Sequence, residues 1–289
     1  MAVDVVALGA FLRARRDVVQ PEEVGLFRDT GRRVAGLRRD EVARLAGISA
    51  EYYLRLEKGR STRPSDQVLK SLAEALNMDP DSRQYLFRIA SGTAAPAPLP
   101  AAESAERVAH VLSQWTHTPA YVSDSNRDIV ASNPLATALG HGGLSAGSNV
   151  ISDLFVGRMK NTLAEWEPMA QSSVAGLRRD ADPASPRFQQ LITALSADID
   201  FARMWARHDV SGPEDARINM VIEKAGTVEI DVHNFAIRSM PGHLLTVLSA
   251  PPNSLTVKIF AALAASVDDT VSHPAPFPTV PARVGVLDA

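Results

Sequence analysis

The sequence of 289 residues contains no cysteine. That absence excludes disulfide-stabilised scaffolds, thiolate zinc sites, iron–sulfur clusters and cysteine nucleophiles. No apolar run reaches the ~18 residues that a membrane-spanning helix needs. Residues 1–10 also lack the basic start and the apolar block of a secretory signal peptide. We therefore expect a protein of the cytoplasm without a membrane partner.

The seven histidines lack the spacing that metal-binding motifs require. Neither His-x3-His nor His-Glu-x-x-His occurs, and the glycine-rich residues 140–147 lack the Lys-Ser/Thr ending of a phosphate-binding loop. His208 and Asp209 are adjacent, but neighbours in sequence rarely orient each other as a catalytic dyad, and no nucleophile motif accompanies them. The sequence predicts no metal, no cofactor and no enzymatic activity.

The composition that remains is ordinary for a globular protein, with 45% hydrophobic and 22% charged residues. At roughly 150 residues per domain, the length suggests two domains. Three prolines within residues 96–100 indicate a semi-stiff linker. The predicted division is a first domain at residues 1–90, a linker at 91–102, a second domain at 103–268 and a disordered tail at 269–289.

Charge is distributed unevenly between these parts. Residues 1–90 contain 16 Lys and Arg against 13 Asp and Glu, whereas residues 91–289 contain 14 against 20. The excess is greatest in residues 8–63, where 12 of the 13 basic residues are arginine. A basic N-terminal module on an acidic body is typical of a DNA-binding regulator. Codon bias in a GC-rich genome is the alternative explanation for so much arginine.

Residues 37–59 have the pattern of a helix-turn-helix. Gly47 is predicted to adopt a left-handed conformation in the turn, and Ile48 is predicted to anchor that turn in the core. Ser49 is predicted to be the N-cap of the next helix. Ala43 is predicted to contact that helix, because a larger side chain there would clash. In such pairs the second helix enters the major groove with its N-terminal residues on base edges.

These segments resemble the Cro/repressor-type (Xre) helix-turn-helix. The resemblance rests on residues 37–49, LRRDEVARLAGIS, and residues 52–60, YYLRLEKGR. Residues 64–76 and 79–90 resemble the fourth and fifth helices of that domain. Arg39 stands where many members carry glutamine, and arginine there favours phosphate or guanine over adenine. The resemblance implies an all-α five-helix domain that binds a double-stranded DNA operator.

The same resemblance indicates which side chains meet DNA. Arg39, Glu51 and Arg55 are expected to contact bases, and the cations that follow them are expected to contact phosphates. The predicted DNA-binding set is Arg38, Arg39, Ser49, Ala50, Glu51, Tyr52, Arg55, Lys58, Arg60 and Arg63. Because one recognition helix buries little surface, we expect a homodimer on two half-sites.

The second domain mixes helices and strands. Two short strands are predicted at residues 118–124 and 128–132, and helical periodicity follows over residues 158–179 and 184–207. Three more strands precede a final helix at residues 253–266. This order favours a PAS-like fold, an antiparallel sheet covered by helices.

Several segments of this domain resemble the MmyB-like ligand-binding domain, which follows an Xre-type helix-turn-helix in that family. The similar segments are residues 119–122, 129–133, 166–170, 174–178 and, above all, 205–210. The chain differs after Val210, where members usually carry a Gly/Lys-rich stretch and a His-Pro pair. The resemblance implies a bacterial transcription regulator whose second domain binds a fatty-acid-like ligand.

Two interpretations of the segment around residues 205–210 are open. In the first, Arg207 or His208 holds a carboxylate and aromatic side chains wall an apolar pocket. The predicted ligand-binding set is then Phe155, Trp166, Phe201, Trp205, Arg207 and His208. In the second, the segment is a packing motif at a helix-to-strand corner, where His208 caps a helix C-terminus.

The sequence therefore predicts an α+β protein of two domains, a five-helix helix-turn-helix bundle followed by a PAS-like domain. We expect a one-component, nucleoid-associated transcriptional regulator of the cytoplasm. Its second domain is expected to sense a small apolar or acidic molecule such as a fatty acid. The alternative is a DNA-binding protein whose second domain only dimerises or docks a protein partner.

Overall fold

A computed structural model describes residues 5–28, 34–60, 63–92, 101–212, 215–222 and 225–272. The described chain contains an all-helical N-terminal domain and a C-terminal domain built on one antiparallel sheet, which confirms the predicted fold class. Much of the predicted linker, residues 93–100, and of the predicted tail, residues 273–289, lies outside the described residues.

In its described part, the N-terminal domain consists of five α-helices and one short 3-10 helix around a single core. In chain order they are α1 (Val5–Val18), the 3-10 helix (Pro21–Val24), α2 (Arg39–Leu45), α3 (Ala50–Glu57), α4 (Asp66–Ala75) and α5 (Pro80–Ser91). Leu8, Phe11 and Leu12 form the buried stripe of α1. They pack with Tyr53 of α3 and Leu86 of α5, so the core holds the helices that flank the turn.

One glycine that the sequence analysis did not single out sets the distance between α1 and α3. A Cβ atom on Gly9 would lie 2.5 Å from the carbonyl oxygen of Glu57 and 2.8 Å from that of Leu56. Only glycine allows this contact, because a side chain would meet backbone that has no freedom to move. Gly9 therefore fixes where the C-terminal end of α3 lies.

The C-terminal domain has eight helices and five strands in its described part. The helices are α6 (Ala101–Ser113), α7 (Pro134–Leu139), α8 (Val150–Phe155), α9 (Met159–Thr162), α10 (Trp166–Asp180), α11 (Pro186–Leu195), α12 (Ile199–Ala206) and α13 (Leu255–Ser272). The strands are β1 (Ala120–Ser123), β2 (Ile129–Ser132), β3 (Ala216–Ile222), β4 (Gly226–Ala236) and β5 (Leu244–Ser249). They form a sheet in the order β2-β1-β5-β4-β3, with every neighbouring pair antiparallel.

Helices cover both faces of the sheet at its β1–β2 end. Tyr121 of β1 belongs to the main core, which lies between the sheet and the helices from α7 to α13. Its neighbours Ala120 and Val122 point to the opposite face and pack with Leu112 of α6. Because both faces are covered, all four residues of β1 are buried.

Two long helical stretches of the sequence are each interrupted. Between α9 and α10, the amide of Ala164 donates to Asn219 O at 2.8 Å, which ties the break to strand β3. Between α11 and α12, Asp198 Oδ1 accepts from the amides of Asp200 and Phe201, both at 2.9 Å, and so caps α12. Helical periodicity continues through both breaks, which is why it did not predict them. Among the described helices, none is both long enough and apolar enough to span a membrane.

Candidate functional site

The turn between α2 and α3 has the geometry that its sequence predicts. Gly47 has φ +66°, in the left-handed region, and its amide donates to Arg44 O at 3.2 Å. The amide of Ile48 donates to Ala43 O at 2.9 Å, which completes a Schellman ending for α2. The left-handed prediction for Gly47 is confirmed, and Ala43, which was predicted to contact α3, is buried.

Helix α3 is sharply bounded at both ends. Ser49 Oγ accepts from the amide of Tyr52 at 3.1 Å, so Ser49 is the predicted N-cap. At the other end Gly59 has φ +61°, and the amide of Arg60 donates to Arg55 O at 2.9 Å, which forms a second Schellman motif. The eight-residue helix is therefore presented at a defined length and angle.

The outward face of α3 carries residues that suit DNA contact. Ala50, Glu51 and Arg55 are exposed, whereas Tyr52 and Leu54 are half-buried. The Arg55 guanidinium lies over the Tyr52 ring, 5.7 Å from its centroid, and its Nη1 is 3.5 Å from Glu51 Oε1. Because these contacts are long and exposed, they leave the guanidinium available to a phosphate or a guanine.

Behind this face, a buried carboxylate joins three helices. The side chain of Glu57 is only 2% exposed, and its Oε1 accepts from Arg16 Nε of α1 at 2.5 Å. Its Oε2 accepts from Arg39 Nε at the start of α2 at 2.6 Å. Burial raises the pKa of Glu57, but the hydrogen bonds from Arg16 and Arg39 outweigh burial and hold the pKa below its usual range.

Arg39 therefore has a structural contact as well as its predicted place at the DNA face. Its Nε is committed to Glu57, but its side chain is 47% exposed. The other predicted cations Lys58, Arg60 and Arg63 are exposed just beyond α3, and Arg38 is half-buried at the N-cap of α2. The helix-turn-helix thus brings the predicted DNA-binding residues to the ends of α2 and α3.

The C-terminal domain contains a cavity of about 300 Å³ between the sheet and helices α8 to α10. Its walls are largely apolar. They include Leu144, Ile151, Leu154, Leu163, Met169 and Leu248. The volume is at the low end of the roughly 300–1,000 Å³ that is usual for small-molecule sites.

The aromatic residues that the sequence analysis assigned to a ligand do not line this cavity. Phe155, Trp166, Phe201 and Trp205 instead form a continuous cluster in the core. The Phe155 ring is 5.5 Å from Trp166 and 5.3 Å from Phe201, and Phe201 stacks on Trp205 at 5.7 Å. Their large rings pack against one another and not around this cavity, so their predicted role in ligand binding stays a prediction.

Arg207 and His208 also lie away from the cavity, at the corner after α12. Arg207 Nε donates to Asp209 Oδ2 at 2.7 Å. His208 has φ +54°, and its amide donates to Trp205 O at 3.3 Å, so the backbone of His208 ends the helix. Burial and the nearby Arg178 charge lower the pKa of His208 to about 4, so the ring is neutral at pH 7 and supplies no cation.

That corner is held by a buried arginine that the sequence analysis did not single out. Arg178 of α10 donates through Nη1 to Asp209 O at 3.1 Å and through Nη2 to Trp205 O. Its guanidinium carbon lies 3.8 Å from the centroid of the Trp205 ring. Burial lowers the pKa of Arg178 to about 10, so it stays charged. This geometry supports the interpretation of residues 205–210 as a packing motif.

Polar side chains of the sheet side also reach the cavity. They are Tyr121, Ser123, Arg127, Asn234 and Thr246. Sequence reasoning missed Arg127, which follows the turn formed where Asp124 Oδ1 accepts from the amides of Asn126 and Asp128. The turn was recognisable from the sequence, but the burial of the arginine after it was not.

The two domains contact each other beside the cavity. Arg88 of α5 donates to Ala181 O at 2.9 Å and to Arg178 O at 3.0 Å, at the C-terminal end of α10. Asp81 of α5 accepts from the amide of Gly212 at 2.8 Å and lies 3.0 Å from Arg179 Nε. Gly212 also lines the cavity. The same backbone therefore touches both the cavity and the helix-turn-helix domain.

Comparison with protein families gives an identity to both parts. A helix-turn-helix domain model matches residues 7–86, and a model described as the MmyB-like transcription regulator ligand binding domain matches residues 105–263. No curated protein is significantly similar to the chain. The ligand-binding model covers more than half of the chain and lies on the sheet, the helices around it and the cavity. The chain therefore belongs to the MmyB-like transcription regulators, DNA-binding proteins that join a helix-turn-helix domain to a ligand-binding domain.

Proposed function

We propose that the protein is a one-component regulator that binds an operator as a homodimer and changes its affinity when a small molecule occupies the cavity. The ligand is a small apolar or acidic molecule, and a fatty acid is one such molecule. The protein acts on the nucleoid in the cytoplasm and catalyses no reaction. The observation that carries the proposal is the shared backbone at Gly212, which contacts the helix-turn-helix domain and lines the cavity.

The DNA half of the proposal is supported by the placement of α3. Its N-terminal residues Ala50 and Glu51 are exposed, and Arg55 is one turn further along. Lys58 and Arg60 continue the basic surface, which matches the usual division between base contacts and phosphate contacts. A single module of this kind buries only ~600–1,000 Å² on DNA, so a dimer on two half-sites supplies the surface that tight binding needs.

Fluorescence anisotropy with DNA fragments selected from genomic DNA tests this half. Arg55→Ala is expected to cost about 1–3 kcal/mol and to relax specificity at one base pair. Lys58→Ala is expected to weaken all sequences alike and to reduce the salt slope by about 1. Arg83→Ala, an exposed arginine of α5, is the matched control and should leave binding unchanged. Equal binding of selected and scrambled DNA by the wild type would contradict sequence-specific recognition.

The ligand half is supported by the cavity and by its position. Most of the lining is apolar, so each buried methylene of a ligand contributes about 0.8 kcal/mol. A ligand alters operator binding only if it binds the DNA-competent and DNA-incompetent forms unequally. The contacts of Asp81 and Arg88 with residues beside the cavity provide a route for that difference.

Thermal-shift measurements with a panel of apolar acids and alcohols test this half. A ligand at about 100 times its dissociation constant adds about 2.7 kcal/mol of stability to the native state. Ser173→Phe, which fills part of the cavity, should abolish the shift, and Ser196→Phe, on an exposed site outside it, should not. If the second domain binds no compound in a broad screen and the operator affinity responds to none of them, the result would favour the alternative. In that alternative the second domain only dimerises or docks a protein partner.

A further inference from the structure

One apolar side chain of the second domain is buried in the core of the first. Val210 lies in a strap, residues 209–212, between α12 and β3, and it is only 7% exposed. It belongs to the hydrophobic cluster of the helix-turn-helix domain, together with Phe11 of α1 and Tyr85 of α5. A residue from far along the chain therefore completes the core that supports α3.

The backbone on both sides of Val210 is held by hydrogen bonds. Before it, the carbonyl oxygen of Asp209 accepts from Arg178 Nη1 of α10 at 3.1 Å. After it, the amide of Gly212 donates to Asp81 Oδ2 of α5 at 2.8 Å, and a Cβ atom on Gly212 would lie only 3.0 Å from that oxygen. Because the strap is tied to the second domain at one end and to the first domain at the other, Val210 is fixed where the two domains meet.

A cation of the first domain also caps a helix of the second. Arg88 of α5 donates to the carbonyl oxygens of Arg178, Arg179 and Ala181, at the C-terminal end of α10. The last carbonyls of a helix have no intrahelical partner, and a positive charge beside them is favourable. The two domains thus complete each other, since α10 obtains its cap from α5 and the first core obtains an apolar side chain from the strap.

Near the end of α3, by contrast, the two domains are separated by space. A groove of about 410 Å³ lies there. One wall includes Ala10 of α1 and Lys58, which follows α3, and the other wall is formed by Ala206 and His208. Because the groove leaves room for the first domain to turn, the orientation of α3 depends on the strap and on the cap of α10.

We propose that the strap and Arg88 hold the helix-turn-helix domain in one orientation on the second domain, and that this makes the spacing of the two operator half-sites part of what the protein recognises. Val210 is then a positioning residue for DNA recognition that touches no DNA. A homodimer joined through its second domains presents its two recognition helices at one fixed separation. The inference deepens the proposed function and rests on it, because it requires a homodimer on two half-sites.

The orientation is directly measurable, because the chain contains no cysteine. Glu74→Cys in α4 and Val156→Cys after α8 place one spin label on an exposed site of each domain. Pulsed electron resonance on the full chain, diluted with unlabelled protein, gives the distribution of distances between the two labels. The doubly labelled protein with Val210 intact should give one narrow distribution. Val210→Asp should broaden it, because a carboxylate is costly to bury in an apolar core and will leave that core.

Two further variants make this measurement specific. Val221→Asp makes the same chemical change at an exposed site on β3 and should leave the distribution narrow. Arg88→Gln removes the charged cap of α10 without placing a charge in either core, and it should also broaden the distribution. It is the second test if Val210→Asp fails to fold. A distribution that stays narrow in both Val210→Asp and Arg88→Gln would overturn the inference.

Operator titrations test the consequence for recognition. The probes are the genomic DNA fragment that the wild type selects and a derivative with about 5 bp, half a helical turn, inserted between the half-sites. The insertion should weaken wild-type binding about 100-fold, because both recognition helices can no longer engage at once. In Val210→Asp it should cost about 10-fold or less, because a released first domain can turn to reach its half-site.

Failure of this inference is distinguishable from failure of the proposed function. Equal losses in the wild type and in Val210→Asp would mean that the half-site spacing is set elsewhere, while operator binding by a homodimer would stand. A wild type that binds single half-sites as a monomer would overturn the homodimer and the role of spacing together. The distance distributions report on the strap in either case.

Discussion

Both domains bury arginine side chains, and two of these, Arg16 and Arg127, have their hydrogen-bonding groups satisfied to different degrees. Arg16 of the helix-turn-helix domain donates to Glu57 at 2.5 Å and to Leu37 O at 3.0 Å. Arg127 of the ligand-binding domain has one carboxylate partner, and its Nη1 has none among the described residues. The side chains of Arg16 and Glu57 are 6% and 2% exposed, and Arg127 lines the cavity of the second domain.

This difference in hydrogen-bond partners indicates that Arg16 and Arg127 have different roles. A buried charge with all its partners holds elements together, because any movement leaves a group unsatisfied. A buried charge with an unsatisfied donor keeps a desolvation cost that no contact among the described residues offsets. The comparison therefore predicts that removing the Glu57 carboxylate destabilises the fold more than removing the Arg127 guanidinium does.

The largest expected effect is the loss of the Glu57 carboxylate. Glu57→Ala leaves Arg16 buried beside only Asp17, whose side chain is 51% exposed, and should destabilise the first domain by about 3 kcal/mol. Urea unfolding of the full chain, with hydrogen exchange of α1 and α3 peptides to assign the transition, measures this. Glu51→Ala is the control. It removes a carboxylate from an exposed ion pair in which Glu51 Oε1 lies 3.5 Å from Arg55 Nη1, and it should cost well under 1 kcal/mol. A comparable cost for both variants would contradict the view of Glu57 as a saturated structural site.

A smaller effect is expected at the turn between α2 and α3. Gly47→Val forces a β-branched residue into φ +66° and should cost about 1–3 kcal/mol. No atom lies within 4 Å of a Cβ placed there, so the cost is conformational and not a clash. Gly47→Asn should cost less, because asparagine tolerates the left-handed region. Equal melting points for wild type and Gly47→Val by circular dichroism would show that the backbone there relaxes freely.

The two domains also differ in their expected response to acid. The depressed pKa of Glu57 contributes stability that is present above its unfolded value of about 4.5 and is lost as pH falls through the folded pKa. His208 has its pKa lowered by burial and by Arg178 from 6.5 to about 4. The unfolded state therefore binds the extra proton first, and stability falls as pH decreases from about 6.5 to about 4.

Partial exposure of His208 limits that loss to the order of 1 kcal/mol. His208→Asn, which also accepts a left-handed backbone, should remove the loss between pH 6.5 and 4 and retain the decline below pH 4.5. Thermal melts across this range, on the wild type and on the variant, measure it. A profile that is the same in both would show that His208 is not buried as a neutral ring.

Local patterns account for what the sequence predicted correctly. Gly47 and Ser49 act within four residues of themselves, and their roles follow from turn and capping chemistry alone. Arg127 and Asp180 are separated by 53 residues, and Asp81 and Gly212 by 131. No periodicity signals such pairings, since they depend on how the helices pack onto the sheet. The sequence also does not signal whether aromatic side chains in one stripe line a cavity or pack against one another.

The smallest expected effect on stability lies at the contact between the two domains. Asp81→Asn removes a partly exposed ion pair with Arg179, so it should change the unfolding free energy by only about 0.2–1 kcal/mol. Glu74→Gln, an exposed carboxylate of the same domain, is the matched control.

If the link between the cavity and the first domain runs through Asp180, Arg179 and Asp81, the variant should bind operator and a ligand from the thermal-shift screen separately but lose the effect of one on the other. Operator titrations with and without that ligand measure the coupling, which in allosteric proteins is typically about 1–3 kcal/mol. Retention of the full wild-type coupling in Asp81→Asn would mean that the ligand acts on the dimer by another route. Loss of coupling with both affinities intact would show that this weak contact between the domains transmits occupancy of the cavity to the helix-turn-helix domain.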